Sequence, residues 1–250
     1  MMTRFELKGA DGKAIRGDRA DGEGRQILFI TGFLSKRWGN KSKALAQWCQ
    51  EQGWGFCCYD VRGFGDSEGA FTDYTLADWI ADARLVLNGL RDGPATTIVG
   101  NSLGGWIAWL MAQEFEFVDR LILIAPAFNM MGVRAAQIPA ARRQAWQTTG
   151  WMPWDDEPLH KDWPLSWKWV EESEAYWKAS FDRLRPVSTA ILHGMQDSVI
   201  LPEGSRRFVE TLLERAPAFP IELDLIPGDH RLSSPEHVDM FRRLVLDLPK

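Results

Sequence analysis

Six short apolar runs punctuate the chain, at residues 26–30, 55–59, 96–100, 120–125, 189–193 and 221–225, and most are apolar at nearly every position. A strand reads that way when both of its faces are covered, the condition of strands inside a parallel sheet. Stretches with apolar residues three and four apart, at 41–52, 75–90, 103–115, 203–215 and 235–247, lie between the runs or follow the last of them. This alternation predicts an α/β fold, a mostly parallel, doubly wound sheet with crossover helices on its faces. Residues 5–7 and 13–16 flank Asp11-Gly12 and predict an antiparallel hairpin at the amino-terminal end. A chain of 250 residues is long enough for one such domain.

The alternation lapses between residues 126 and 186, where no clear strand is legible. Residues 1–125 and 187–250 therefore read as the core, and 126–186 as a helical cap insertion. Seven of the 13 tryptophans fall in that insertion: Trp146, Trp151, Trp154, Trp163, Trp167, Trp169 and Trp177. Two roles are open to them, filling the contact between cap and core or lining an apolar substrate pocket.

A formal charge of -5 argues against a nucleic-acid partner, which requires a concentrated basic surface. No apolar run reaches the roughly 18 residues of a membrane span, and the first residues lack the apolar stretch of a secretion signal, so a cytoplasmic location is expected. Cys49, Cys57 and Cys58 are odd in number, and two of them are adjacent within an apolar run. That pattern fits small buried side chains better than a disulfide or a metal site.

The sharpest local signal is Gly100-Asn101-Ser102-Leu103-Gly104, set between an apolar run and a helical stretch. A tight strand-to-helix turn would lift the Ser102 hydroxyl above the sheet, with glycines where backbones must approach closely and the helix amino terminus aimed at the site. A serine hydroxyl needs a base, and the base needs a group that orients it. Of four histidines, His160 lies in the insertion, His193 ends a strand and His237 belongs to the last helical stretch. His230 lies in the loop Pro227-Gly228-Asp229-His230-Arg231 after the last strand, from which it can reach back over the sheet edge, and it is the candidate base. Asp197, shortly after the run 189–193, is the candidate acid; Asp229 is too close in sequence to orient the His230 ring easily. Oxyanion donors are expected from the backbone N–H of Leu103 and from the loop Thr31-Gly32-Phe33-Leu34-Ser35, with Phe33 preferred and Leu34 the alternative.

Together these residues resemble the α/β-hydrolase superfamily, whose nucleophile, acid and base follow one another in the order of Ser102, Asp197 and His230. Asp60-Val61-Arg62-Gly63-Phe64-Gly65-Asp66-Ser67 is similar to a turn that, by that resemblance, supports the active-site loops and is structural. Gly32-Phe33-Leu34-Ser35, Gly39-Asn40-Lys41, Asn101-Ser102-Leu103-Gly104-Gly105-Trp106 and Gly228-Asp229-His230-Arg231-Leu232-Ser233 resemble a narrower group. These are the small esterases and acyl-thioesterases related to mycophenolic acid acyl-glucuronide esterase, also described as palmitoyl-protein thioesterases; Thr31 stands where they commonly carry a histidine. The resemblance implies a serine hydrolase acting on a small-molecule carboxylic ester or thioester, with an apolar acyl group favoured by the tryptophans. A peptidase or carbon-carbon bond hydrolase with the same triad, and a non-catalytic binding protein on this scaffold, remain alternatives. No cofactor or metal motif is present in the sequence, and none is expected.

Overall fold

The computed structural model describes residues 1–152 and 163–246; Trp154, His160 and Asp247 lie outside them. The first half of the chain forms β1 (Thr3–Lys8), β2 (Ala14–Ala20), β3 (Gln26–Ile30), α1 (Asn40–Gln52), β4 (Gly55–Tyr59) and α2 (Leu76–Asn88). It continues with β5 (Thr96–Asn101), α3 (Leu103–Glu114) and β6 (Val118–Ile124). Next come α4 (Met130–Gln137), α5 (Ala140–Thr149), β7 (Trp151–Met152), β8 (Leu165–Ser166) and α6 (Lys168–Ala179). The chain then completes the sheet with β9 (Ser188–Gly194), α7 (Glu203–Arg215), β10 (Ile221–Ile226) and α8 (Pro235–Leu246).

Eight strands form one sheet in the order β1-β2-β4-β3-β5-β6-β9-β10. β2 runs antiparallel to β1 and β4, and the other neighbours are parallel. The amino-terminal hairpin is longer than its apolar residues suggested, because the exposed edge strand β1 carries polar side chains along much of its length. β7 and β8 pair antiparallel over two residues each, too short a stretch to leave a period in the sequence.

The apolar runs divide by alternate residues between two cores. Ile27, Phe29, Phe56 and Cys58 face a layer closed by Leu45 and Trp48 of α1 and Phe241 and Val245 of α8. Leu28, Ile30, Cys57 and Tyr59 face the opposite layer, with Trp79 of α2, Trp106 and Trp109 of α3 and Phe208 of α7. Covering both faces explains why these strands lack a polar side. The three cysteines are buried in these layers, and burial pushes the thiols of Cys49 and Cys57 up to about 12. Strand order reverses at β3, which lies between β4 and β5, so a crevice opens beyond the carboxyl ends of β3 and β5.

Two buried ion networks brace the loops on that edge. Asp60, following β4, accepts from the Arg37 N–H at 2.6 Å, from the Asp66 N–H at 3.0 Å and from the Arg37 guanidinium, which also reaches Asp18 at 2.7 Å. Arg62 donates to Asp82 through its side chain at 2.6 Å and its backbone N–H at 2.8 Å, and to Asp11 at 2.9 Å. Since the side chains of Arg62 and Asp82 are 3% and 0% exposed, deleting one strands the other in a poorly hydrated site. Asp82→Ala is expected to cost about 3–5 kcal/mol, read as a lower urea midpoint at an unchanged slope.

Candidate active site

Ser102 joins β5 to α3 with φ 53° and ψ -122°, a conformation that costs a residue with a side chain about 1–3 kcal/mol. Its surroundings hold it there. The Ser102 N–H donates to Ile124 O at 2.8 Å, and its carbonyl accepts from Gly105 at 2.9 Å and Ala127 at 3.0 Å. A Cβ on Gly100 would come within 2.5 Å of Gly104 O, and one on Gly104 within 2.3 Å of Ile30 O and 2.4 Å of Thr31 O. These obstacles are backbone atoms, so the glycines are required by close approach. Leu103 opens α3, where its N–H has no acceptor within the helix.

The three residues singled out for an acyl-transfer relay lie together, though they come from three separate loops. His230 Nε2 is 3.1 Å from Ser102 Oγ, and His230 Nδ1 is 2.7 Å from Asp197 Oδ2. An ionised carboxylate only accepts, so Nδ1 carries the hydrogen and Nε2 of the neutral ring is left to accept from the Ser102 hydroxyl. Burial acts to raise the Asp197 carboxyl, but hydrogen bonds from His193, His230 and the Ile200 N–H outweigh it and hold the group below the usual carboxylate range. Asp229 accepts from the N–H groups of Arg231 and Leu232 at 3.0 and 3.2 Å, which ties it to its own loop. His237 bonds Pro227 O at 2.7 Å and Ser234 Oγ at 3.0 Å, bracing the base of that loop.

The loop after β3 closes the other side. A Cβ on Gly32 would lie 3.1 Å from Ser102 Cβ, so the chain passes directly beside the serine. The Phe33 ring is anchored away from the turn against Trp169, Trp79 and Phe71, with centroids 5.4, 5.6 and 5.8 Å away. Leu34 has φ 52°, a left-handed conformation that its branched side chain does not announce in the sequence.

Two further groups escaped the sequence reading. His193, taken there only as a strand end, is buried with Nε2 3.1 Å from Asp197 Oδ2. Lys41 borders the cleft, donates to the Arg231 carbonyl, and is pushed down to about 8 by burial against the opposing pull of Asp229. Its position in the first turn of a helix gave no hint of either property.

A cleft of about 740 Å³ opens at Ser102 and His230. Phe29, Phe33, Leu34, Met130, Val199 and Ile200 supply apolar wall, and Lys36, Lys41, Asp229 and Arg231 supply charge. A family model described as the alpha/beta hydrolase fold matches residues 26–164. The chain belongs to the α/β-hydrolase fold family. This α/β hydrolase is 27% identical over 237 residues to the human palmitoyl-protein thioesterase ABHD10, mitochondrial, covering 91% of this chain and 74% of that protein. The solved structure of alpha/beta hydrolase domain-containing protein 10 from mouse matches with a TM-score of 0.86 at 23% identity, covering 98% of this chain and 97% of that one. Est1E from Butyrivibrio proteoclasticus, in a structure with ferulic acid bound, matches with a TM-score of 0.75 at 19% identity over 97% of this chain and 96% of that chain.

In this α/β hydrolase none of the described tryptophans between β6 and β9 borders the cleft. Trp169 packs on Trp79 and Phe33, Trp163 on Phe64 and Phe71, Trp146 on Trp167, and Trp177 on Phe181 and Phe208. Trp163, Trp169 and Trp177 thereby contact the core and Trp146 is buried beside Trp167, whereas Trp151 is 44% exposed. No group of three or more His, Cys, Asp or Glu side chains among the described residues is placed to hold a metal ion, and no helix there is long and apolar enough to cross a membrane.

The glycine contacts are directly testable. Gly104→Ala is expected to destabilise the protein by about 1–3 kcal/mol through backbone overlap. Gly204→Ala, at a helical position where a Cβ meets nothing within 4 Å, should stabilise it by about 0.4–1 kcal/mol. Chemical denaturation of the two variants beside the wild type checks both signs.

Proposed function

We propose that this protein is a serine hydrolase that cleaves small-molecule carboxylic esters or thioesters through an acyl-enzyme on Ser102. The observation that carries the reading is the continuous hydrogen-bonded line from Ser102 through His230 to Asp197 at the head of the cleft. As Ser102 Oγ attacks the substrate carbonyl carbon, its proton passes to His230 Nε2, and Asp197 stabilises the imidazolium that forms. The carbonyl oxygen becomes an oxyanion that accepts hydrogen bonds from the backbone N–H groups of Leu103 and Phe33. Collapse of this intermediate breaks the bond to the alcohol or thiol, which leaves with the proton held by His230. Water then attacks the acyl-enzyme, giving one proton to His230, and the acid departs as Ser102 Oγ regains it.

The family relationship and a relative named as a palmitoyl-protein thioesterase support this choice of chemistry. An apolar acyl group suits the wall formed by Leu34, Met130, Val199 and Ile200, which takes over the role that the tryptophan count first suggested. A fluorophosphonate probe should label the wild type and miss Ser102→Ala, and the variant should lose about 10⁴–10⁶ in kcat on p-nitrophenyl esters and acyl thioesters. Wild-type turnover by Ser102→Ala would sink the reading.

A further inference from the structure

The hydrogen bonds around Asp197 extend beyond the relay. Oδ1 accepts from the N–H groups of Val199 at 2.9 Å and Ile200 at 2.8 Å, while Oδ2 accepts from His230 at 2.7 Å and His193 at 3.1 Å. All four acceptor positions of the carboxylate are thereby used. His193 Nε2 also lies 2.8 Å from Ile200 O. A carboxylate oxygen and a carbonyl can only accept, so this nitrogen carries the hydrogen and shares it between them. At the other end of the ring, Nδ1 is 2.8 Å from the hydroxyl of Ser205 in the first turns of α7, which donates to the neutral ring. His193 and Ser205 are both fully buried, and neither borders the cleft.

We propose that His193 is a positioning residue for the hydrolysis, the fixed partner that aims Asp197 Oδ2 at His230. The proposal rests on the catalytic reading given above. On that reading His230 is the moving partner of Oδ2, because its far nitrogen takes up and releases a proton in each half-reaction, and its side chain is 20% exposed. His193 has no such freedom: its side chain is 0% exposed and both ring nitrogens are engaged. The Val199 and Ile200 N–H groups hold Oδ1, but they leave rotation about the bond to the carboxyl carbon resisted at one oxygen only. A second donor on Oδ2 fixes the plane of the group, and Ser205 fixes the donor. A leucine would fill this buried site without bringing in a polar ring, so packing alone does not explain a histidine with three acceptor and donor partners.

The test compares steady-state kinetics in folded His193→Leu, His193→Gln, Ser205→Ala and wild-type protein, each per fluorophosphonate-titrated site, with Ser102→Ala normalised to total folded protein because it offers the probe no serine at position 102. His193→Leu removes the donor, and its kcat should fall about 10–100-fold, as expected when a catalytic group loses alignment, with KM changed by less than about twofold. His193→Gln keeps a side-chain N–H and should recover kcat to within about threefold of wild type. Leucine-variant kcat within about twofold of wild type, or a glutamine variant as slow as the leucine one, overturns the proposal. Should His193→Leu fail to fold, Ser205→Ala decides: releasing the ring at Nδ1 should lower kcat about 3–10-fold at unchanged KM, and an unchanged kcat overturns the proposal. Ser102→Ala separates the two readings. If it retains turnover, the catalytic reading fails; if it is inactive while the His193 and Ser205 variants are unimpaired, only the role of His193 is lost.

Discussion

The arrangement around Ser102 depends on backbones meeting at distances that no side chain permits. Gly104 brings the first turn of α3 against the carbonyls of Ile30 and Thr31, and Gly100 brings the end of β5 against the same turn. With those contacts made, Ser102 is held at a positive φ of 53° with ψ -122°, and the energy of that strain is opposed by three backbone hydrogen bonds. A comparable contact seats the base. A Cβ on Gly194, at the end of β9, would lie 2.4 Å from Gly228 O and 2.6 Å from Asp229 O, so the loop carrying His230 is laid directly across the strand that leads to Asp197. Glycines at two strand ends thus fix the separation of three side chains that are far apart in sequence.

Charge does for the outer loops what close approach does for the inner ones. The loop beside Ser102 runs straight into Arg37, whose backbone and guanidinium are both held by Asp60 beyond the end of β4. Arg62, two residues after Asp60, reaches Asp82 on α2 and Asp11 in the amino-terminal turn. Arg37, Asp60 and Arg62 each bond to more than one residue, and Asp82 takes two hydrogen bonds from Arg62, so each buried charge is paired, which is the condition under which burying it is tolerable. The turn from Asp60 to Ser67 therefore transmits the position of the sheet to a loop bordering the cleft without bordering it at those charged residues.

Much of this was legible in the chain because the relevant signals are local. Apolar runs located the six later strands of the large sheet, and the glycines around Ser102 indicated a turn that only such residues allow. Asp197 and His230 could be selected because each follows a strand and so must emerge at the same edge. His193 could not be read in this way. Its contacts arise only when residues 195–200 curl back to bring Asp197 and Ile200 O to one ring nitrogen, and a histidine before a glycine carries no trace of that curl. Leu34 was hidden for a related reason: its left-handed backbone is imposed by the loop rather than by residue type. The tryptophans were visible as a cluster, but a count of rings does not say which way they face.

Their observed direction changes how the segment between β6 and β9 bears on the site. Trp169 on α6 meets Phe33, and Glu172 on the same helix accepts from the Thr75 hydroxyl and the Ala77 N–H, both at 2.9 Å, at the start of α2. The Ala77 N–H, in the first turn, has no partner within α2, and a helix amino terminus favours a carboxylate, so α6 is held by a helix terminus as well as by aromatic contact. The Phe33 ring thus rests on α6, and the adjacent Gly32 passes close beside Ser102, where a Cβ would lie 3.1 Å from Ser102 Cβ. On the reading proposed above, the segment sets the geometry of an oxyanion donor through the side chain of the residue that provides it. On the same reading an acyl group would meet Leu34, Met130, Val199 and Ile200, from three different loops or helix ends, beside Phe33, whose ring also holds the segment through Trp169.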